Sequence, residues 1–130
     1  MKNLEMVVFD MAGTTIRDKN EVENCFWEAA EKSGLQTTRE RIISMMGWSK
    51  RLVFETLWKE QLSNASNESI QKQINQSYSR FTDILEEHYH THEVLPTEGC
   101  LELFRYLKDK NIKIALTTGF YRKVTDIILT

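Results

Sequence analysis

The stretch Val7-Val8-Phe9-Asp10-Met11-Ala12-Gly13-Thr14-Thr15-Ile16 carries an apolar run into one carboxylate and follows it at once with a glycine and two threonines. Glu5 to Asp10 predicts a strand, and Met6, Val7, Val8 and Phe9 form the unbroken apolar run of a strand buried on both faces of a parallel sheet. The strand end aims Asp10 at the crevice above the sheet, where open α/β folds bind ligands. Small residues after it let backbone N–H groups approach an anion, so phosphate chemistry is the first expectation. The competing reading is structural: Asp10 caps a turn, and Gly13 supplies a backbone angle that other residues avoid.

Beyond Thr15 the period changes. Between Asn20 and Lys32 the apolar residues Val22, Phe26, Trp27, Ala29 and Ala30 recur at helical spacing, and Gly34 follows as a stop. Thr37 to Glu40 has the spacing of a capping box for a second helix that runs to about Met46. Gly47 interrupts it, and Ser49 is placed to cap a third helix carrying Leu52, Val53, Leu57 and Trp58. The polar run 63–67 reads as a loop, and a long helix is expected from about Glu68 to His88, with Ile70, Ile74, Tyr78, Phe81 and Leu85 on one stripe. Trp27, Trp48 and Trp58 read as packing residues, Trp48 being the one able to touch a ligand beside Gly47 and Lys50. His88, His90 and His92 alternate, a spacing that lines one face only in a strand, so they read as the solvated end of that helix.

A turn signal at Val94-Leu95-Pro96-Thr97-Glu98-Gly99 precedes a helix bearing Leu101, Leu103, Phe104 and Leu107. Then comes a second apolar strand, Ile112-Lys113-Ile114-Ala115-Leu116, ending in Thr117-Thr118-Gly119, and a helical pattern resumes from Arg122 to Leu129. The segment between the strands is long enough for a parallel crossover. Both strand ends can therefore meet at one phosphate site, although Thr-Thr-Gly alone also describes an ordinary strand-to-helix turn.

Composition narrows the partners. Of 130 residues 41% are hydrophobic and 28% charged, with a net charge of −2, a balance that argues against a basic nucleic-acid surface. Cys25 and Cys100 lie far apart and form no zinc spacing. No signal-peptide pattern opens the chain, and no segment approaches the ~20 apolar residues of a bilayer span, so the expectation is a reduced, cytoplasmic protein without nucleic-acid or membrane partners.

Phe9-Asp10-Met11-Ala12-Gly13-Thr14-Thr15 resembles the first motif of the haloacid dehalogenase-like (HAD) phosphohydrolase superfamily, and the Thr117-Thr118-Gly119 strand end resembles the second. The resemblance implies an α/β fold: a Rossmannoid parallel-sheet core, incomplete in this chain, at 1–15 and 93–130, with an inserted α-helical cap domain at 16–92. It implies that Asp10 is the nucleophile, forming an aspartyl-phosphate that water hydrolyses. Thr118 and the Gly119 N–H would hold the phosphoryl group together with Gly13 and Thr14, while Thr117 faces the neighbouring layer. It also implies Mg²⁺, held by the Asp10 carboxylate and the Ala12 carbonyl.

Ala12 departs from the common pattern, in which an acid at this position moves a proton for the leaving group. Ala there resembles the phosphonatase-like subgroup, whose members break a P–C bond after a cap lysine forms a Schiff base with the substrate aldehyde. The competing reading of Ala12 is an enzyme that uses water or another acid, or a slow one. Met46-Gly47-Trp48-Ser49-Lys50 is similar to the subgroup's Met-Gly-x-x-Lys cap pattern, although Val53 stands where the subgroup usually has His. The same loop resembles the Gly-x-Ser-Arg phosphate grip of β-phosphoglucomutase caps. Lys50 is thus a Schiff-base amine, a phosphate contact or an exposed residue starting a helix, with Gly47 shaping its loop in each case.

The superfamily's third motif, a lysine, and its fourth, acidic metal ligands, follow the second motif and have no counterpart up to Thr130. A shortened form of a longer enzyme is expected, binding Mg²⁺ poorly and turning over slowly or not at all. Three functions stay open: a phosphonatase-like hydrolase of a small phosphonate, a HAD phosphomonoesterase or phosphomutase-like enzyme acting on a small phosphorylated metabolite, or a non-catalytic chain that binds or forms a homodimer through its cap helices.

Overall fold

The computed structural model describes residues 3–130. Its elements in chain order are β1 (Met6–Asp10), α1 (Glu21–Ser33), α2 (Arg39–Ser44), α3 (Lys50–Gln61), α4 (Asn67–Thr91), α5 (Cys100–Asp109), β2 (Lys113–Thr117) and α6 (Arg122–Leu129). The described residues divide into two compact units, one of residues 3–19 and 93–118, the other of residues 20–92 and 119–130.

In the first unit β1 and β2 pair in parallel, in register from Met6 with Lys113 to Asp10 with Thr117. The helix α5 packs on this pair, with the Phe104 ring centred 5.3 Å from that of Phe9. Side chains alternate across a strand, so Val7 and Phe9 share one face while Met6, Val8 and Asp10 share the other. Met6 and Val8 are 48% and 58% exposed, and Val7 and Phe9 are half-buried, so the burial expected on both faces is partial on one and absent on the other. The described sheet has two strands, and Phe104 of α5 reaches the Phe9 face.

The second unit is helical. Phe26, Phe54 and Phe81 are each at most 1% exposed, and Phe26 stacks on Phe81 with centroids 4.1 Å apart. Around them close Ile42, Met45, Val53, Ile74 and Leu85, all buried. Of the expected α4 stripe Ile70, Ile74, Phe81 and Leu85 are buried and Tyr78 is half-buried, while Ser77 lies fully buried beside them, and its hydroxyl accepts the Trp58 indole N–H at 2.8 Å. That bond lets a polar atom sit in an apolar layer without loss. Val124 and Ile128 of α6 are buried, and α6 packs on α4.

Three local expectations shift. The cap of α2 is Thr38, whose Oγ1 accepts the Arg41 N–H at 3.2 Å, and the neighbouring Thr37 hydroxyl is buried with no hydrogen-bond partner among the described residues. The helix α2 stops at Ser44, and turns through Met45 and Met46 replace its expected last residues. Finally, α4 continues to Thr91, because Thr91 Oγ1 donates back to the Glu87 carbonyl at 2.9 Å and the His92 N–H to that of His88 at 2.9 Å. The helix therefore sets His88 and His92 on one face, with stacked rings 4.3 Å apart. Among the described residues no helix is long and apolar enough to cross a membrane.

Candidate active site

Asp10 is the last residue of β1, and its side chain is exposed. The Met11 N–H donates to Asp10 Oδ1 at 2.9 Å, which fixes one carboxylate oxygen. The other has no hydrogen-bond partner among the described residues. A carboxylate anchored by one oxygen is pre-oriented to use the second as a ligand or a nucleophile.

The loop after Asp10 is held from inside. Met11 is fully buried, and its carbonyl accepts N–H groups from Thr14, Thr15 and Ile16 at 3.1, 2.9 and 3.0 Å. Gly13, at φ 80°, turns its N–H to the Ile16 carbonyl at 2.8 Å. Thr15 Oγ1 donates to the Asp10 carbonyl at 3.1 Å. The segment 95–97 ties the loop from outside: Thr97 Oγ1 donates to the Thr14 carbonyl at 2.6 Å, the Thr97 N–H to the Thr15 carbonyl at 3.0 Å, and the Arg17 N–H to the Leu95 carbonyl at 2.9 Å.

This wiring redistributes the anticipated donors. The N–H groups of Gly13 and Thr14, expected to face an anion, are spent on shaping the loop. Ala12 is the residue whose N–H and carbonyl enter no hydrogen bond among the described residues, and it is exposed. Its N–H is thus left available to a ligand, as those of Gly13 and Thr14 are not. Its carbonyl and the second Asp10 oxygen are hard oxygen donors of the kind Mg²⁺ takes, and because Mg²⁺ keeps several waters, so small a protein set fits it. No group of three or more His, Cys, Asp or Glu side chains able to hold a metal occurs among the described residues.

On β2, Thr117 is the register partner of Asp10 and is exposed. The resemblance implies that it faces a neighbouring layer, but the pairing puts its side chain on the Asp10 face. Thr118 is the next residue, just past the strand and half-buried.

In the helical unit, Gly47 takes φ 93° in the turn between α2 and α3, and Lys50 opens α3 without a side-chain cap from Ser49. Lys50 is half-buried, and its Nζ would lie 3.5 Å from a Cβ added at Gly119. The ammonium also stands 5.8 Å from the centre of the Phe120 ring, a cation–π distance. Two expected site residues, Lys50 and Gly119, are therefore brought together. Trp48, two residues before Lys50 in the chain, is 41% exposed, as a ligand contact requires.

Residues 7–130 match the profile of the haloacid dehalogenase-like hydrolases. The chain belongs to this family. It is 30% identical over 143 aligned residues to a phosphonoacetaldehyde hydrolase of Bacillus mycoides (strain KBAB4), an alignment covering 96% of this chain and 50% of the relative. A Bacillus cereus (strain B4264) phosphonoacetaldehyde hydrolase is 28% identical, with 97% of this chain and 50% of the relative covered. The chain thus spans about half the length of the curated relatives it matches. A hydrolase from Pseudomonas syringae shares the fold at a TM-score of 0.76 and 21% identity, over 96% of this chain and 54% of its own. A predicted phosphoglycolate phosphatase from Haemophilus somnus 129PT does so at 0.75 and 15%, over 99% and 58%. These two likenesses establish the fold: an α/β HAD-type architecture with an incomplete Rossmann core and a helical cap.

Proposed function

We propose that this HAD-family hydrolase chain carries the nucleophile and the cap lysine of a phosphonatase-like reaction on a small aldehyde phosphonate. The observation that carries the reading is the exposed Asp10 carboxylate at the end of β1, one oxygen held by the Met11 N–H and the other without a partner among the described residues. Ala12 beside it and the Met46–Lys50 loop support the phosphonate branch, as does the similarity to phosphonoacetaldehyde hydrolases.

Lys50 condenses with the substrate aldehyde, releasing water and forming an iminium. Asp10 attacks phosphorus, and the electron pair of the breaking P–C bond flows into the iminium to give an enamine. Ala12 has no proton to give, and none is needed, because the iminium is the electron sink. Water then cleaves the aspartyl-phosphate to phosphate and free Asp10, while protonation and hydrolysis of the enamine release the aldehyde product and restore Lys50. Mg²⁺, held by the Asp10 carboxylate and the Ala12 carbonyl, would neutralise the phosphoryl charge when bound. Thr118 and the Ala12 and Gly119 N–H groups would donate to the phosphoryl oxygens.

The test is borohydride reduction of the chain in the presence of phosphonoacetaldehyde. A stable mass adduct on Lys50, absent in Lys50→Ala, supports the reading. Absence of the adduct, with Mg²⁺-dependent release of phosphate from ester substrates that survives Lys50→Ala, replaces it by a phosphomonoesterase.

A further inference from the structure

The turn that meets Lys50 is itself held by a separate group of residues. Glu86, on α4, has a side chain only 13% exposed. Its Oε2 accepts the Tyr121 hydroxyl at 2.8 Å, and its Oε1 pairs with Lys123 Nζ at 2.7 Å. Tyr121 also donates to the Thr82 carbonyl at 3.3 Å, so its hydroxyl is shared between two acceptors one helical turn apart on α4. The Tyr121 carbonyl in turn receives the Thr125 N–H and hydroxyl at 3.1 and 3.0 Å, which starts α6 at a defined point. Immediately before this anchored tyrosine lie Gly119 and Phe120. The Phe120 ring meets the Tyr89 ring edge-on at 5.9 Å and lies under the Lys50 ammonium.

One carboxylate therefore terminates a chain of contacts that ends at Lys50. A glycine and a single ring, itself packed edge-on against Tyr89, stand between the anchor and the amine, so the anchor bears directly on the turn. Val124 and Ile128, buried on α6, hold that helix as a body.

We propose that Glu86 is a positioning residue for Lys50: by holding Tyr121 and Lys123 it fixes the Gly119–Phe120 turn against which the lysine rests. Its functional meaning rests on the reading of Lys50 given above, whereas its geometry does not. The placement matters because an imine-forming amine must meet a carbonyl carbon at a set angle, and small displacements of reacting groups are costly.

The experiment compares the wild-type chain with Glu86→Gln and Tyr121→Phe by NMR, reading the nuclear Overhauser contact between the Lys50 ε-protons and the Phe120 ring. Contacts from the Val124 and Ile128 methyl groups to α4 report whether α6 stays docked. The expected result is a weakened or lost Lys50–Phe120 contact in both variants with those methyl contacts retained in Tyr121→Phe, and imine trapping slowed by roughly tenfold. A Lys50–Phe120 contact at full strength in both variants overturns the proposal. If wild-type Lys50 traps no aldehyde while its contact responds to the substitutions, the positioning role stands and the phosphonate reading falls.

Discussion

Asp10 and Thr117 are partners on the last rung of the β1–β2 pair, so a carboxylate and a hydroxyl leave the same face at the same end of the sheet. Thr118 follows one residue later, off the strand. With beryllium fluoride and Mg²⁺ in large excess, to offset the poor binding expected of this chain, the wild type is expected to give an acyl-phosphate mimic visible by ¹⁹F NMR, and Asp10→Asn to give none. Thr118→Val is expected to weaken formation of the mimic by about tenfold, the value of one hydrogen bond to a charged group, and Thr117→Val by less. The reverse order would move the phosphoryl contact to Thr117.

The core of the helical unit has a measurable weak point. Phe81 is fully buried and contacts Phe26 and Phe54 by ring faces and edges. Phe81→Ala is expected to destabilise this unit by about 3–5 kcal/mol, through lost burial and the cavity left behind. Urea unfolding followed by circular dichroism checks it, and a loss below about 1 kcal/mol would mean that the three rings do not form the core.

Stability should fall on acidification in two windows. Burial and the neighbouring His92 hold the His88 imidazole below its usual 6.5, against the opposing pull of Glu21. The unfolded chain then binds the proton first, so stability drops as pH falls from 6.5 towards the folded value. Burial pushes the Glu86 carboxyl up, but hydrogen bonds from Lys123 and Tyr121 outweigh it and set it below the usual 4.5. Its contribution is present above 4.5 and is lost as pH falls through the folded value. His88→Gln should flatten the first window and leave the second, in urea midpoints measured across pH.

Gly13 has open space where a Cβ would go, but its φ of 80° is the cost. Gly13→Ala is expected to lose about 1–2 kcal/mol of local stability without any clash. Amide hydrogen exchange at Thr14, Thr15 and Ile16, all bonded to the Met11 carbonyl, should accelerate accordingly. Unchanged exchange would show that the loop has another support.

Much of this was legible in the chain because apolar period and glycine placement are local signals. The stripe Ile70, Ile74, Tyr78, Phe81, Leu85 marked α4, although Tyr78 is only half-buried, and the run into Asp10 marked β1. What was not legible depends on partners far along the chain. Nothing at Thr97 announces that its hydroxyl will hold the Thr14 carbonyl, and nothing at Glu86 announces Tyr121. The capping of α2 by Thr38 and not Thr37 is a one-residue choice between identical side chains, which spacing cannot separate. The spent N–H groups of Gly13 and Thr14, and the unspent one of Ala12, follow from loop closure onto a buried Met11 carbonyl, a property of the folded backbone alone.

The ties from Thr97 and Leu95 to the loop at 14–17, and the pairing of Met6 with Lys113, also set an order of assembly. As the polypeptide leaves the ribosome, the segment bearing Asp10 waits, unpaired, until its distant clamps and second strand have been translated. The four intervening helices can collapse on their shorter-range contacts in the meantime. The Asp10 carboxylate thus gains its surroundings only after Thr97 and Thr117 have been made.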